Sequence, residues 1–110
     1  MPPADVPYGT LDLMILKTLD ESGALHGYGL ARRIEQVAAG MLSVNQGTIY
    51  PALIRLEQRG WIDSEPGRSD NNRPARFYSI TRAGKKQLTR QKASWARTVA
   101  VMRRMLGEES

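Results

Sequence analysis

Gln46, Thr48, Tyr50 and Arg55 lie close together in the chain, and Arg68, Arg73 and Arg76 follow in a second short stretch. These amide, hydroxyl and guanidinium groups are the kind that exchange hydrogen bonds with base edges and bind phosphate. They supply no nucleophile. The chain holds a single histidine, His26, and no cysteine, which excludes thiolate nucleophiles, disulfides and clustered His/Cys metal ligands. His26 therefore reads as a local structural residue. No carboxylates pair at a spacing suited to general acid–base work, and Gly27-Tyr28-Gly29 lacks the third glycine of a dinucleotide fingerprint, which would fall at Arg32. No catalytic residue, metal ligand or cofactor is assigned, and an enzyme is the reading with least support.

Polar groups of this kind act together only if regular elements set them on one surface. Asn45 is a good cap for a helix in which Ile49, Leu53 and Leu56 line one face, leaving Gln46, Thr48, Tyr50, Arg55 and Arg59 to point elsewhere until Gly60 closes it. Pro51 lacks an amide proton and predicts a distorted first turn that aims the residues before it. Upstream, Thr10 can cap a first helix with Asp12 in its first turn. The apolar run Leu11, Leu13, Met14, Ile15, Leu16 and Leu19 is too dense for a surface helix and predicts burial on two sides. Ser22 and Gly23 end that helix, Leu25 and His26 form a short extended piece, and Leu30, Ile34, Val37 and Met41 mark a second amphipathic helix that Gly40 interrupts. Beyond Gly60 the period changes. Residues 61–65 and 75–80 read as strands separated by the turn-rich Pro66 to Pro74, which predicts a hairpin with a long, mobile, basic tip. Thr81 can cap a last helix reaching Leu106, with Leu88, Trp95 and Met102 seven apart and Val99 and Leu106 on a neighbouring row.

This order of elements predicts a mainly α fold with a small β-hairpin (α+β): a winged helix-turn-helix followed by a long C-terminal dimerisation helix. Residues 1–8 are expected to be a flexible segment, 9–81 the DNA-binding domain and 82–110 the dimerisation helix. The third helix is expected in the major groove, the tip along phosphates or in a minor groove, and the start of the second helix against a phosphate oxygen. The expected DNA-binding set is Tyr28, Asn45, Gln46, Thr48, Tyr50, Arg55, Arg68, Asn72, Arg73 and Arg76. The last helix, about 37 Å long at 1.5 Å per residue, exceeds what so small a core can cover, so its apolar stripe needs a partner.

Charge points to the same class of partner. The 110 residues carry a formal net charge of +5, yet residues 1–44 sum to −2 and the remainder to +7. From Arg68 to Arg97 there are nine cations opposed by Asp70 alone. A pI near 10.0 favours a polyanion, nucleic acid or an anionic membrane. No apolar run approaches the roughly 18 residues of a membrane span, and dimerisation explains the apolar stripe of the last helix better than a membrane does. A cytoplasmic protein without a membrane partner is expected. A winged helix serving as a protein-interaction or RNA-binding module remains the alternative, and it would show no preference for palindromic duplexes.

Gly9-Thr10-Leu11-Asp12-Leu13, Leu25-His26-Gly27-Tyr28, Gly47-Thr48-Ile49-Tyr50-Pro51-Ala52-Leu53, Leu56-Glu57 and Tyr78-Ser79-Ile80-Thr81-Arg82-Ala83-Gly84 together resemble the PadR family of bacterial transcriptional regulators. The resemblance spans nearly the whole chain and looks like the compact branch with a single C-terminal helix. It implies a homodimeric repressor in which the last helix crosses its counterpart, often with the first helix, and in which some members bind aromatic effectors between subunits. The dimer interface is accordingly expected to include Leu11, Ile15, Leu88, Trp95, Val99, Met102 and Leu106. Two Trp95 rings facing across a twofold axis would also sandwich a flat aromatic or cationic effector, with Val99 and Met14 as neighbours.

Overall fold

The computed structural model describes residues 4–5 and 10–108. Four helices form where apolar residues recur at helical spacing: α1 (Leu11–Ser22), α2 (Gly27–Val37), α3 (Gln46–Gln58) and α4 (Arg82–Met105). Asn45 and Thr81 cap α3 and α4 from an extended backbone, accepting from the amides of Thr48 and Gly84. Thr10 stands at the same position before α1 but makes no side-chain capping bond. Its own backbone is already helical (φ −102°, ψ −17°), whereas a capping side chain needs the extended conformation to reach back.

α1 is the central post. Ile15, Leu16 and Leu19 are fully buried, and Leu13 and Met14 are partly buried against the same core, so the dense apolar run packs on more than one side. α2 ends sooner than its apolar spacing suggests. Ala39 and Gly40 both take positive φ and turn the chain away, leaving Val37 and Met41 68 % and 72 % exposed instead of in the core. One short strand, β3 (Leu42–Ser43), follows this break and pairs in parallel with β1 (Ala4–Asp5) from the start of the chain. That part of the expected flexible segment is hydrogen-bonded, and the rest, residues 1–3 and 6–8, lies outside the described residues.

β2 (Leu25–His26), β5 (Pro74–Ile80) and β4 (Ile62–Arg68) form an antiparallel sheet in the order β2-β5-β4. The hairpin is longer than expected and its tip shorter. β4 continues through Pro66 and Gly67 to Arg68, paired with Pro74, and leaves only residues 69–73 in the turn. Pro66 is tolerated because β4 is the sheet edge, where a missing donor costs no ladder bond. The tip is a built turn: Ser69 donates its amide to the Arg73 carbonyl at 2.9 Å, and Arg68 donates to the Asn72 carbonyl at 3.0 Å.

α4 spans 24 residues, about 36 Å, yet buries only Gly84 and Leu88 against the rest of the protomer. Three residues expected at a subunit interface sit in the core of the protomer. Ile15 is fully buried, and Leu11 and Leu88 nearly so, packed within their own chain. No helix among the described residues is long and apolar enough to cross a membrane.

Candidate nucleic-acid interface

The third helix turns Ile49, Ala52, Leu53 and Leu56 into the core, so the opposite side of the cylinder is outward by geometry. The helix runs unbroken through Pro51, whose missing amide costs one bond, to the Gly47 carbonyl, and breaks nothing else. At its start the Asn45 side-chain oxygen accepts from both the Thr48 amide (2.9 Å) and the Thr48 hydroxyl (3.0 Å). Such a cap contributes about 1 kcal/mol. It also commits the Thr48 proton and one side of Asn45 to the helix itself. The Gln46 side chain enters no hydrogen bond among the described residues and keeps its amide available.

The helix-turn-helix is locked by one carboxylate. Glu35 accepts from the Val44 amide at 2.7 Å and pairs with Arg32 at 2.6 Å, tying the end of α2 to the approach of α3. Arg32 in turn lies over the Tyr28 ring, 5.3 Å from its centroid, at the start of α2. There Gly27 lets the Tyr50 ring approach closely. A Cβ on Gly27 would stand 3.0 Å from the Tyr50 Cζ and hydroxyl oxygen, tighter than ordinary contact. His26 stacks on Phe77, 5.3 Å between centroids, which accounts for this lone histidine as a structural residue of the sheet.

Between this corner and the hairpin lies an open cleft of about 870 Å³, lined by Tyr28 from α2, Tyr50 from α3, and Arg73 and Arg76 from the wing. Arg76 is held there through a relay. Its Nε donates to the Ser64 hydroxyl (3.0 Å), which donates to Glu57 Oε2 (2.7 Å) on α3. Tyr78 at the cleft floor has its hydroxyl pushed up from the usual tyrosine range by burial first and by the Glu57 charge second, so it stays protonated at neutral pH. The Arg73 guanidinium has no partner among the described residues.

Of the ten residues expected to meet nucleic acid, the cleft thus gathers Tyr28, Tyr50, Arg73 and Arg76. Gln46, Thr48 and Asn45 sit at the start of α3, and Arg68 and Asn72 shape the tip, with Asn72 at φ +58°. Arg55 is not among the free cations. It is ion-paired with Asp12 of α1, bracing α3 against that helix. Outside the expected set, Ile54 is 57 % exposed on the outward side of α3. Its signal was its place one turn after Tyr50, out of phase with Ile49, Leu53 and Leu56.

The model of the PadR-like family of transcriptional regulators matches residues 15–90. Among solved structures, a transcriptional regulator from Clostridium thermocellum is 29 % identical with a TM-score of 0.79, covering 87 % of this chain and 92 % of its own. A PadR-like regulator from Bacillus cereus is 27 % identical with a TM-score of 0.74, covering 92 % and 95 %. PadR of Bacillus subtilis, crystallised with operator DNA, is 26 % identical with a TM-score of 0.66 over 77 % of this chain, which spans about half of that longer protein. These relatives share the helix order and the three-stranded wing described above. The chain belongs to the PadR-like family of transcriptional regulators.

Proposed function

We propose that this regulator is a homodimer that binds a roughly palindromic duplex operator and represses by occupying it, with residues 9–81 reading DNA and residues 82–110 forming the dimerisation helix. The observation that carries this reading is the cleft that sets the start of α2, the exposed face of α3 and two wing arginines on one side of the protomer. The operator complex of the Bacillus subtilis relative supports it. Gln46 and Thr48 read base edges, Ile54 meets thymine methyl groups, and Tyr28, Arg73 and Arg76 hold phosphates. Arg55 acts from behind, through Asp12. The exposed α4 stripe, with Trp95 49 % exposed in the single protomer, supports pairing with a second α4.

Selection from a pool of randomised duplexes tests the reading. It is expected to enrich a palindrome with half-sites about one helical turn apart. On that sequence Arg73→Ala weakens binding evenly and lowers the salt slope by about one per protomer, whereas Gln46→Ala relaxes preference at one or two base pairs. Failure to enrich any duplex, with equal binding to single-stranded RNA, would favour the RNA-binding alternative.

Release by a flat aromatic or cationic effector belongs to the same proposal, with Trp95 and Val99 of both protomers as its walls. Met14 instead lines a groove with Ile34, Val37 and Leu42, formed by α1, α2 and β3. Titrating such compounds into a Trp61→Phe variant is expected to quench Trp95 emission, and an unchanged spectrum across a broad panel counts against an effector at this place.

A further inference from the structure

α4 carries eight cationic side chains and no carboxylate over its 24 residues. At 100° per residue they divide into groups. Lys85 and Lys92 lie toward α1, where Asp20 stands 4.0 Å from Lys85 and the Glu21 carboxylate, bonded first to Lys17, also feels Lys92. Arg82, Lys86, Arg90, Arg97 and Arg104 fall on one stripe, on the side of the helix away from Trp95, Met102 and Leu106. All five are exposed. Among the described residues none of Arg82, Lys86, Arg90 and Arg97 is paired with a carboxylate, and Arg90 donates to Gln87 Oε1 at 3.0 and 3.2 Å.

For a helix facing only water this arrangement is unfavourable. Arg82, Lys86 and Arg90 are like charges four residues apart, which repel. Arg82, Lys85 and Lys86 also crowd the positive end of the helix dipole, with no acidic residue in the first turn. Surface helices ordinarily relieve such repulsion by mixing signs. A polyanion laid along the stripe removes both penalties together.

We infer that the outer stripe of α4 is a second docking surface for duplex DNA, holding phosphates of the segment that flanks the site occupied by α3 and the wing. The inference rests on the DNA-binding reading above. From Arg82 to Arg104 the stripe rises about 33 Å, which is close to one turn of duplex and long enough to meet the backbone more than once. It begins near the wing cations, since at most about 22 Å of chain separates Arg76 from Arg82. Pairing of two α4 helices through their apolar sides leaves both stripes outward. An acidic protein would match the charge but would make no use of this nearness to the wing.

Binding of the intact protein to duplexes of about 20 and 50 base pairs of one arbitrary sequence, followed by anisotropy across a salt series, tests this. The wild type is expected to show a slope steeper on the longer duplex by roughly 3 per engaged protomer, from three added phosphate contacts per stripe at about 0.9 each. The combined variant Lys86→Gln, Arg90→Gln, Arg97→Gln is expected to lose that difference, to match wild type on the short duplex, and to melt no lower than wild type. Equal wild-type slopes on the two lengths overturn the inference without needing any variant, and so does a folded variant that keeps the difference. Equal slopes with stripe-dependent binding of polyglutamate overturn it as well and assign the stripe to an acidic protein. If the wild type binds neither duplex at low salt, the DNA-binding reading itself fails and this inference with it.

Discussion

Gly84→Ala is expected to lower the melting temperature by about 12–24 °C, corresponding to a loss of about 3 kcal/mol for a domain of this size. Helix propensity alone predicts the opposite sign, because alanine in a helix is favoured over glycine by about 1 kcal/mol. Tertiary contact decides the matter. A Cβ on Gly84 would stand 2.0 Å from the carbonyl oxygen of Trp61, a backbone atom that cannot swing aside. That carbonyl is itself fixed, since it accepts from the Thr81 amide at 3.0 Å while the Thr81 hydroxyl donates to the Gly60 carbonyl at 2.6 Å. The first turn of α4 is thus clamped onto the junction between α3 and β4, and one added methyl must pry them apart. Ala83→Gly, an exposed change on the preceding residue, provides the comparison and should cost about 1 kcal/mol. Thermal unfolding followed by circular dichroism measures both, and a melting temperature for Gly84→Ala at or above wild type would show that the clamp is not rigid.

Trp95→Asp is expected to convert the proposed dimer into a folded monomer and to weaken operator binding by about 100-fold or more, the loss that follows when two linked half-sites become independent. Trp95, Met102 and Leu106 share an apolar stripe that the protomer leaves exposed, so a carboxylate there leaves the core intact but, in the proposed dimer, meets its twin across the twofold axis. Sedimentation equilibrium reads the association and duplex binding reads the consequence. A variant that remains dimeric, with its operator affinity unchanged, would place the subunit contact elsewhere on the molecule. Leu88, on the same row, is not a useful target for this purpose because it is buried within the protomer and its replacement would unfold the base of α4.

Much of the element order was legible because local signals coincide. Asn45 and Thr81 are capping residues in front of periodic apolar positions, and both cap as their type suggests. The shift from helical to alternating spacing after Gly60 marked the wing, and the motifs from Gly9 to Gly84 carried the resemblance to the family whose model matches residues 15–90. Where local signals misled, a backbone conformation or a neighbouring element was responsible. Thr10 does not cap because its own φ and ψ are helical, and β4 runs through Pro66 because that strand has no neighbour on its outer edge.

The amino-acid sequence by itself determined which faces are apolar, where the positive charge concentrates, and the order of helices and hairpin, since these follow from residue type and spacing of three to seven positions. Only the tertiary structure decided which cations are committed and which are available. Arg55 meets Asp12 across 43 residues, and Arg76 reaches Glu57 through Ser64 by way of two strands. The same holds for Leu11, Ile15 and Leu88, which the helical pattern cannot assign to a core or to an interface, because an apolar stripe is buried equally well by its own chain or by another. Pairings between distant segments leave no local periodicity to read; they arise when the packed core sets the separation and angle of α1, α3 and the wing.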